Sequence, residues 1–190
     1  MIPDTHQCVQ LMLSTGMLDN IKRHSFVVAK VATFLGKLLS FYGCPLDISL
    51  IEAGSLLHDI GKTESLLTGE NHAKMGAQIV REAGYEELAP VVENHIRLLD
   101  EELKEPIDEV KLVNYADKRV LHDRIVTLEH RFEDLRERYG NTAKKKRWLS
   151  EMERKMKMLE RKIFSKIPIS PEYVLYLDNN LGNLRFRKLR

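Results

Sequence analysis

Apolar residues recur at intervals of three and four along almost the whole chain, and this periodicity restricts the architectures available to it. The clearest stripe starts near residue 24 and consists of Val27, Val28, Val31, Phe34, Leu35 and Leu38. No segment shows the sustained period-two alternation of β-branched residues that is typical of half-buried strands. With 190 residues, of which 43% are apolar, the chain can bury one sizeable core. The sequence therefore predicts an all-α fold.

Turn and cap residues divide residues 1–122 into several helices. Gly43 and Pro45 are expected to end the first long helix, and Asp47 is a suitable N-cap for the next. Gly61 offers that next helix a stop just beyond His58. The remaining segments are predicted as a loop over 63–71 and helices over 71–84, 86–97 and 107–122.

Residues 123–167 carry two narrow apolar stripes flanked by charge, joined at Gly140 and Asn141. This pattern is typical of a helical hairpin or a coiled-coil arm. The stripes consist of Ile125, Leu128, Phe132, Leu135 and Tyr139, then Trp148, Met152, Met156, Leu159, Ile163 and Ile167. A lone hairpin cannot hide such stripes, so it must pack on its own domain or on a second subunit. We favour a homodimer with Met152, Met156 and Leu159 at the centre of the contact. Residues 168–190 are predicted to form a loosely ordered tail.

Composition argues against membrane and secretory proteins. The start, Met1 to Asp4, lacks a basic segment and an apolar run, and no apolar stretch approaches 18 residues. Cys8 and Cys44 are the only cysteines and lack paired spacing, so neither a disulfide nor a zinc–thiolate site is expected. We expect a cytoplasmic protein that does not contact a membrane.

Charge is unevenly distributed along the chain. Residues 141–190 hold 14 Lys and Arg against 5 Asp and Glu, whereas the preceding residues are acidic. The basic segment could bind nucleic acid or an acidic partner, or it could neutralise its own acidic body. Since net charge concerns association rather than fold, we favour self-neutralisation and regard nucleic acid as a less favoured partner.

Six imidazole and carboxylate side chains could surround two metal ions if helices brought them together. Asp59 lies between apolar Leu57 and Ile60, where a buried carboxylate would be costly without a cation. Each histidine alone could be an ordinary core or surface residue. The six candidates, in chain order, are His24, His58, Asp59, His72, His95 and Asp117.

The order and spacing of these residues resemble the HD superfamily of metal-dependent phosphohydrolases, over roughly residues 23–124. The segment from His58 to Lys62 has the HDxGK form that this superfamily often shows. The resemblance implies an HD-domain helical bundle over residues 1–122, followed by the arm over 123–167. It also implies two groups of metal ligands: His24, His58 and Asp117 for one ion, His72 and His95 for the other, with Asp59 bridging. Ligation by nitrogen and oxygen suits two divalent ions, with iron or manganese expected.

The resemblance further implies hydrolysis of a phosphate ester or anhydride, with a nucleotide as the expected phosphorylated small-molecule substrate. Paired metal ions activate a water and neutralise phosphate oxygens. Asp59 and Lys62 are the candidate catalytic residues. Lys62, Lys118 and Arg119 are candidate phosphate contacts, although each of them could instead be a solvated side chain, above all Lys118 and Arg119.

Two alternatives stay open within this resemblance. One is a mixed-valent di-iron oxygenase, which the ligands alone do not distinguish from a hydrolase. The other is a regulatory module that binds a nucleotide without turnover; retention of all six ligands argues against it. His95 is followed by Ile96 and not by a second histidine, so a cyclic di-GMP phosphodiesterase is not expected. No glycine-rich phosphate loop occurs in the sequence.

Overall fold

The structure, a computed structural model, describes residues 1–178. Helices dominate this part of the chain, which confirms the all-α prediction; the one sheet within it is a two-stranded antiparallel hairpin. The helices are α1 Thr5–Ser14, α2 Asp19–Phe41, α3 Ile48–Leu57, α4 Lys62–Thr68, α5 His72–Glu82, α6 Ala89–Asn94, α7 Glu109–Lys118, α8 Leu128–Tyr139 and α9 Ala143–Phe164. The strands are β1 Val120–Leu121 and β2 Arg124–Ile125, and 3-10 helices cover Glu86–Leu88 and Pro171–Leu177.

Helix α2 is the central element, and it packs mainly against α3 and α7. Its predicted apolar stripe is real: Val28, Val31 and Leu35 are fully buried in the core. At 23 residues, α2 is also long and apolar enough to cross a membrane by length and composition alone, which the sequence did not lead us to expect. Its contacts with α3 and α7 account for the apolar face, and the same helix carries His24.

Helix boundaries differ from the prediction around Gly61. The segment predicted as a loop contains α4, which ends at Gly69 in the left-handed conformation (φ 76°). Gly61 has φ −79°, so it does not end α3 by a left-handed turn. A Cβ atom on Gly61 would lie 2.4 Å from the His72 carbonyl oxygen and 2.6 Å from the Gly76 nitrogen. Gly61 is therefore required because the first turns of α4 and α5 approach each other closely.

Helix α7 ends four residues earlier than predicted. After Lys118 the chain turns into the β1–β2 hairpin, in which Val120 pairs with Ile125. His122 lies in the turn of this hairpin with φ 56°, a conformation that non-glycine residues seldom adopt. The predicted helix over 86–97 is likewise divided into a 3-10 turn and the short α6.

Helices α8 and α9 pack against each other, and α9 also packs against α7. Met156 is 1% exposed, Leu159 is fully buried, and both belong to the same core as Val31. Met152 is half-buried against that core. The prediction that these methionines and Leu159 form the centre of a dimer contact is therefore wrong, because their apolar surface is covered within one chain. The hairpin packs on its own domain, the alternative that the sequence left open, and the oligomeric state of the protein stays a prediction.

Part of the predicted tail is also packed on this body. In the 3-10 helix Pro171–Leu177, Val174 and Leu177 are buried in the main core. The prediction of a loosely ordered tail is therefore wrong for this helix. Residues 179–190 of that tail lie outside the described residues.

Candidate metal centre

All six predicted ligands lie near helix ends that meet at one place. His58 and Asp59 follow α3, His72 begins α5, and His95 follows α6. His24 lies in the second turn of α2, and Asp117 is the penultimate residue of α7. Five of the six are buried, and His72 is partly exposed. The sequence places donors at helix ends, and helix packing brings those ends together.

Backbone carbonyl groups orient three of the imidazoles. The Nδ1 atoms of His24, His58 and His95 lie 2.7, 2.7 and 2.6 Å from the carbonyl oxygens of His122, Ser55 and Val92. Because a carbonyl oxygen can only accept, each Nδ1 carries the proton and donates it. In the neutral ring, Nε2 is then left with a free lone pair, which is the state that ligates a metal.

The first group of donor residues consists of His24, His58 and Asp117. The His24 Nε2 atom lies 3.0 Å from Asp117 Oδ1, and His58 Nε2 lies 3.8 Å from the same oxygen. His58 Nε2 also lies 3.4 Å from Asp59 Oδ2. A lone pair that faces a carboxylate oxygen at these distances is repelled unless a cation or a proton lies between them.

The second group joins His72 and His95 to the other oxygen of Asp59. Asp59 Oδ1 lies 3.4 Å from His72 Nε2 and 3.6 Å from His95 Nε2, and the two imidazole nitrogens are 3.3 Å apart. Donor atoms of His24, His58 and Asp59 lie within 4.8 Å of one another, as do those of Asp59, His72 and His95. The structure thus brings all six predicted residues together, with Asp59 common to both groups.

The electrostatics of the cluster suit a divalent cation. Burial opposes the charge on Asp59, but protonated His58, whose own pKa Asp59 raises against burial, and Lys62 outweigh burial and hold the pKa of this carboxyl well below its usual range. A metal ion would take the place of that proton on His58. Burial lowers the pKa of His72 to about 4 and also lowers that of His95, so both favour the neutral form that binds metals. Among the described residues, His58 Nε2 and Asp59 Oδ1 have no hydrogen-bond partner. A metal ion would satisfy both buried atoms.

Two of the three predicted phosphate contacts lie at this cluster. The Lys62 ammonium is 2.7 Å from Asp59 Oδ2, and the Lys118 ammonium is 2.5 Å from Asp117 Oδ2. Both lysines line the cavity described below, although Lys118 is itself buried. Each therefore offers a cation beside a candidate ligand.

Arg119 points elsewhere, into the contact between α7 and α9. It is 1% exposed, and its guanidinium donates to the Tyr115 hydroxyl at 2.5 Å and to Glu160 at 3.2 Å. Its other nitrogens donate to the carbonyl oxygens of Val126 and Pro171. Arg119 does not line the cavity. The predicted phosphate contact does not fit this placement, since protein acceptors occupy the guanidinium.

A cavity of about 830 Å³ opens from the metal cluster. One wall comes from the α8–α9 hairpin and contains Arg131, Arg138, Tyr139, Lys145 and Trp148. Sequence reasoning missed this wall and assigned Tyr139 and Trp148 to buried stripes, yet they are 53% and 57% exposed. One signal could have found it: the run Lys144–Arg147 directly precedes the single tryptophan.

Comparison with known proteins identifies the family to which the chain is similar. The HD domain model matches residues 21–120. Over 154 residues the chain is 33% identical to a tRNA (cytidine(56)-2'-O)-methyltransferase of Picrophilus torridus, covering 74% of this chain and 42% of that protein. It is 31% identical over 135 residues to an uncharacterized protein of Methanocaldococcus jannaschii (64% of this chain, 79% of that protein). It is 34% identical over 108 residues to a ribonuclease Y of Aquifex aeolicus (57% of this chain, 18% of that protein).

Coverage limits what these relatives imply. The chain spans less than half the length of the Picrophilus protein and 26% of a second methyltransferase, from Thermoplasma volcanium, to which it is 36% identical. No solved structure matches the chain. The family match, however, covers more than half of the chain and contains all six candidate ligands, from His24 to Asp117. The chain therefore belongs to the HD domain family.

Proposed function

We propose that this protein is a metal-dependent phosphohydrolase that uses two divalent ions, iron or manganese, to hydrolyse a phosphate ester or anhydride of a nucleotide. The position of Asp59 is the observation that carries the proposal. Its two oxygens lie 3.4–3.6 Å from three imidazole nitrogens that belong to two donor groups. A carboxylate shared in this way is the arrangement expected of a bridging ligand in a two-metal site.

In this proposal His24, His58 and Asp117 would hold one ion, His72 and His95 would hold the other, and Asp59 would contact both. A pair of such ions would lower the pKa of a bound water and neutralise charge on phosphate oxygens. The protein's part is to present the ligands in fixed orientations. The Nδ1 bonds to carbonyl groups do this for three of the four histidines.

Lys62 is the proposed phosphate contact closest to Asp59. Burial opposes its charge, but Asp59 and Asp117 outweigh burial and raise its pKa, so the ammonium stays charged at neutral pH. Its side chain is 41% exposed and faces the cavity. It can therefore donate to a phosphate oxygen while it remains within reach of Asp59.

The relatives' names agree with phosphodiester chemistry only in part. One relative is named as a ribonuclease, a class of enzyme that cleaves phosphodiesters, and this supports hydrolysis. Two others are named as tRNA methyltransferases, but the chain matches less than half of each. Methyl transfer is therefore not part of this proposal.

The test is a phosphate-release assay with metal analysis. Protein purified without chelator is analysed for metals, loaded with Mn²⁺ or Fe²⁺, and incubated with nucleotides, dinucleoside polyphosphates and bis(p-nitrophenyl) phosphate. Wild-type protein should release product, and Asp59→Asn should lose at least about a hundredfold in rate, because it removes the shared charge. Asp100→Asn is the matched control: Asp100 is exposed, pairs with Arg154 and lies outside the cavity.

Two outcomes would refute the proposal. Oxygen uptake on a candidate substrate without phosphate release would identify an oxygenase. Nucleotide binding at the metal without any turnover would identify a regulatory module.

A further inference from the structure

The cavity wall that comes from the α8–α9 hairpin combines exposed aromatic rings with cations. Tyr139 and Trp148 present aromatic surface, and Arg131, Arg138 and Lys145 present positive charge, all on the α8–α9 hairpin. Asp134 pairs with both arginines, at 3.1 Å from Arg131 and 2.6 Å from Arg138, and so compensates only one of their two positive charges. Uncompensated positive charge of the wall therefore lies on both helices, one charge on α8 and that of Lys145 on α9.

That charge continues beyond the cavity. Lys144, Lys145, Lys146 and Arg147 are consecutive and exposed, and no acidic side chain of residues 1–178 lies within 4.0 Å of their charged atoms. Lys145 lines the cavity, whereas the other three do not, and all four lie at the start of α9. Four neighbouring like charges repel one another, and a polyanion laid along them would relieve that repulsion.

We propose that the α8–α9 hairpin binds single-stranded nucleic acid and directs its end into the metal centre. This inference rests on the proposed hydrolase function and names its substrate class: the terminal phosphodiester of a single strand. Proteins that bind single strands pair a basic groove, which follows the backbone, with aromatic side chains on which bases stack. Tyr139, Trp148 and the Lys144–Arg147 run supply both parts next to the cavity.

The dimensions favour a strand over a free nucleotide or a duplex. A cavity of about 830 Å³ is of the size that holds one drug-sized molecule, so it admits one or two nucleotides and excludes a duplex. A free nucleotide inside it would leave Lys144, Lys146 and Arg147 unused, because these side chains lie outside the cavity. A strand that continues through the mouth would contact them with its next phosphates.

The reaction consumes one water for each phosphodiester. The water oxygen adds to phosphorus, and the phosphorus–oxygen bond to the neighbouring nucleoside breaks. The leaving oxygen takes up a proton from that water, so the products are a phosphate monoester and a free hydroxyl. Lys62 faces the phosphate in this arrangement, as in the proposed function.

Trp148 is the only tryptophan, so its fluorescence reports directly on the proposed surface. The protein as purified is titrated with an eight-nucleotide, phosphorothioate-linked oligouridylate, which resists hydrolysis. We expect quenching of the fluorescence and binding that weakens with salt. Lys145→Ala/Lys146→Ala should weaken binding about tenfold or more and reduce the slope of log K against log salt by about 1.4. The matched control is Lys30→Ala/Lys37→Ala: both lysines are exposed on α2 and lie outside the cavity. It should bind like wild type.

The inference would be overturned if the oligonucleotide did not quench the fluorescence of Trp148. It would also be overturned if uridine monophosphate or a polyglutamate peptide bound as tightly as the oligonucleotide. The same loss of affinity in Lys30→Ala/Lys37→Ala would overturn it as well. Hydrolysis of bis(p-nitrophenyl) phosphate is measured in parallel. If this small diester is hydrolysed and the oligonucleotide does not bind, the substrate inference fails and the proposed function stands. If the unmodified oligonucleotide binds but neither compound is hydrolysed, the proposed function fails and the substrate role of the strand fails with it.

Discussion

At the scale of single residues, the two halves of the site depend on Asp59. Its carboxylate is almost fully buried, yet it stays ionised because His58 and Lys62 outweigh the cost of burial. Buried charges are retained in proteins when cations or hydrogen bonds compensate them. Here Asp59 Oδ1 has no hydrogen-bond partner among the described residues, and a metal ion bound beside His72 and His95 would satisfy it.

Replacing Asp59 should therefore reduce the amount of bound metal more than replacing any one histidine does. Asp59→Ala should lose most of both ions, whereas His95→Ala should mainly lose the ion that it shares with His72, because only Asp59 approaches both donor groups. Metal analysis of protein purified without chelator measures this, with circular dichroism to check that the variants fold. Asp100→Ala should keep the wild-type metal content. Equal partial losses in both site variants would show that Asp59 does not bridge.

His72 should make the metal-free protein sensitive to acid. Its pKa is about 4 in the folded protein and 6.5 ordinarily, so between these pH values the unfolded chain binds the additional proton. The free energy of unfolding therefore falls as the pH drops from about 6.5 towards 4. His72→Ala should lose less stability than wild type between pH 7 and pH 4.5, by up to about 2.5 kcal/mol. Urea unfolding at the two pH values measures this difference.

The exposed His130 supplies the control for this pH effect. His130→Ala should lose as much stability on acidification as wild type does. An identical loss in His72→Ala would contradict the low pKa of His72.

At the scale of elements, the site depends on how closely α4 and α5 approach. A side chain at position 61 would meet the backbone of α5 at 2.4 Å, a distance that only movement of the helix can relieve. Gly61→Ala should displace His72. It should therefore weaken binding of the ion that His72 shares with His95 more than binding of the ion at His24, His58 and Asp117. Gly69→Ala is a useful contrast, because a Cβ atom at Gly69 would meet no other atom within 4 Å. This substitution should lower stability only through the left-handed backbone conformation of residue 69. Metal content of the two variants tests this, and unchanged binding in Gly61→Ala would contradict it.

The α8–α9 hairpin is held to the body by its apolar face. Met156→Glu places a charge in a core position that is 1% exposed and should cost about 3–5 kcal/mol. Met158 lies two residues further along the same helix and is 37% exposed. Met158→Glu should therefore lower the free energy of unfolding by less than about 1 kcal/mol. Denaturant unfolding measures both. Similar costs for the two variants would mean that the hairpin does not pack as described.

At the scale of the whole molecule, the metal centre joins segments that are distant along the chain. His24 and Asp117 lie 93 residues apart and meet at 3.0 Å. A ligand that binds only the folded state stabilises it by about 2.7 kcal/mol at a concentration of 100 times its Kd. Chelation should therefore lower the Tm of this 190-residue chain by about 5–10 °C, and Mn²⁺ should restore it. A calorimetric scan with and without chelator tests this, and Asp59→Ala should show no shift.

Prediction from sequence succeeded where the signal is local and failed where distant surfaces meet. Helical periodicity gave the buried face of α2, since a residue every three or four positions must face one side. The same reasoning assigned Trp148 to a buried stripe, because it lies four residues before Met152, but in the folded protein it faces the cavity. Periodicity identifies a face of a helix and does not specify which part of that face other elements cover.

The sequence by itself determined the helical class, through the periodicity of its apolar residues, and the six residues that converge, through the resemblance of their order and spacing to the HD superfamily. Only the tertiary structure decided which cations face the cavity. Lys118 and Arg119 are neighbours at the end of α7, and the sequence offered both as phosphate contacts. Lys118 lies beside Asp117 at the cavity, whereas Arg119 donates to Glu160 of α9. Adjacent residues at a helix end point in different directions, so the packing of α9 on α7 settled which one remained available.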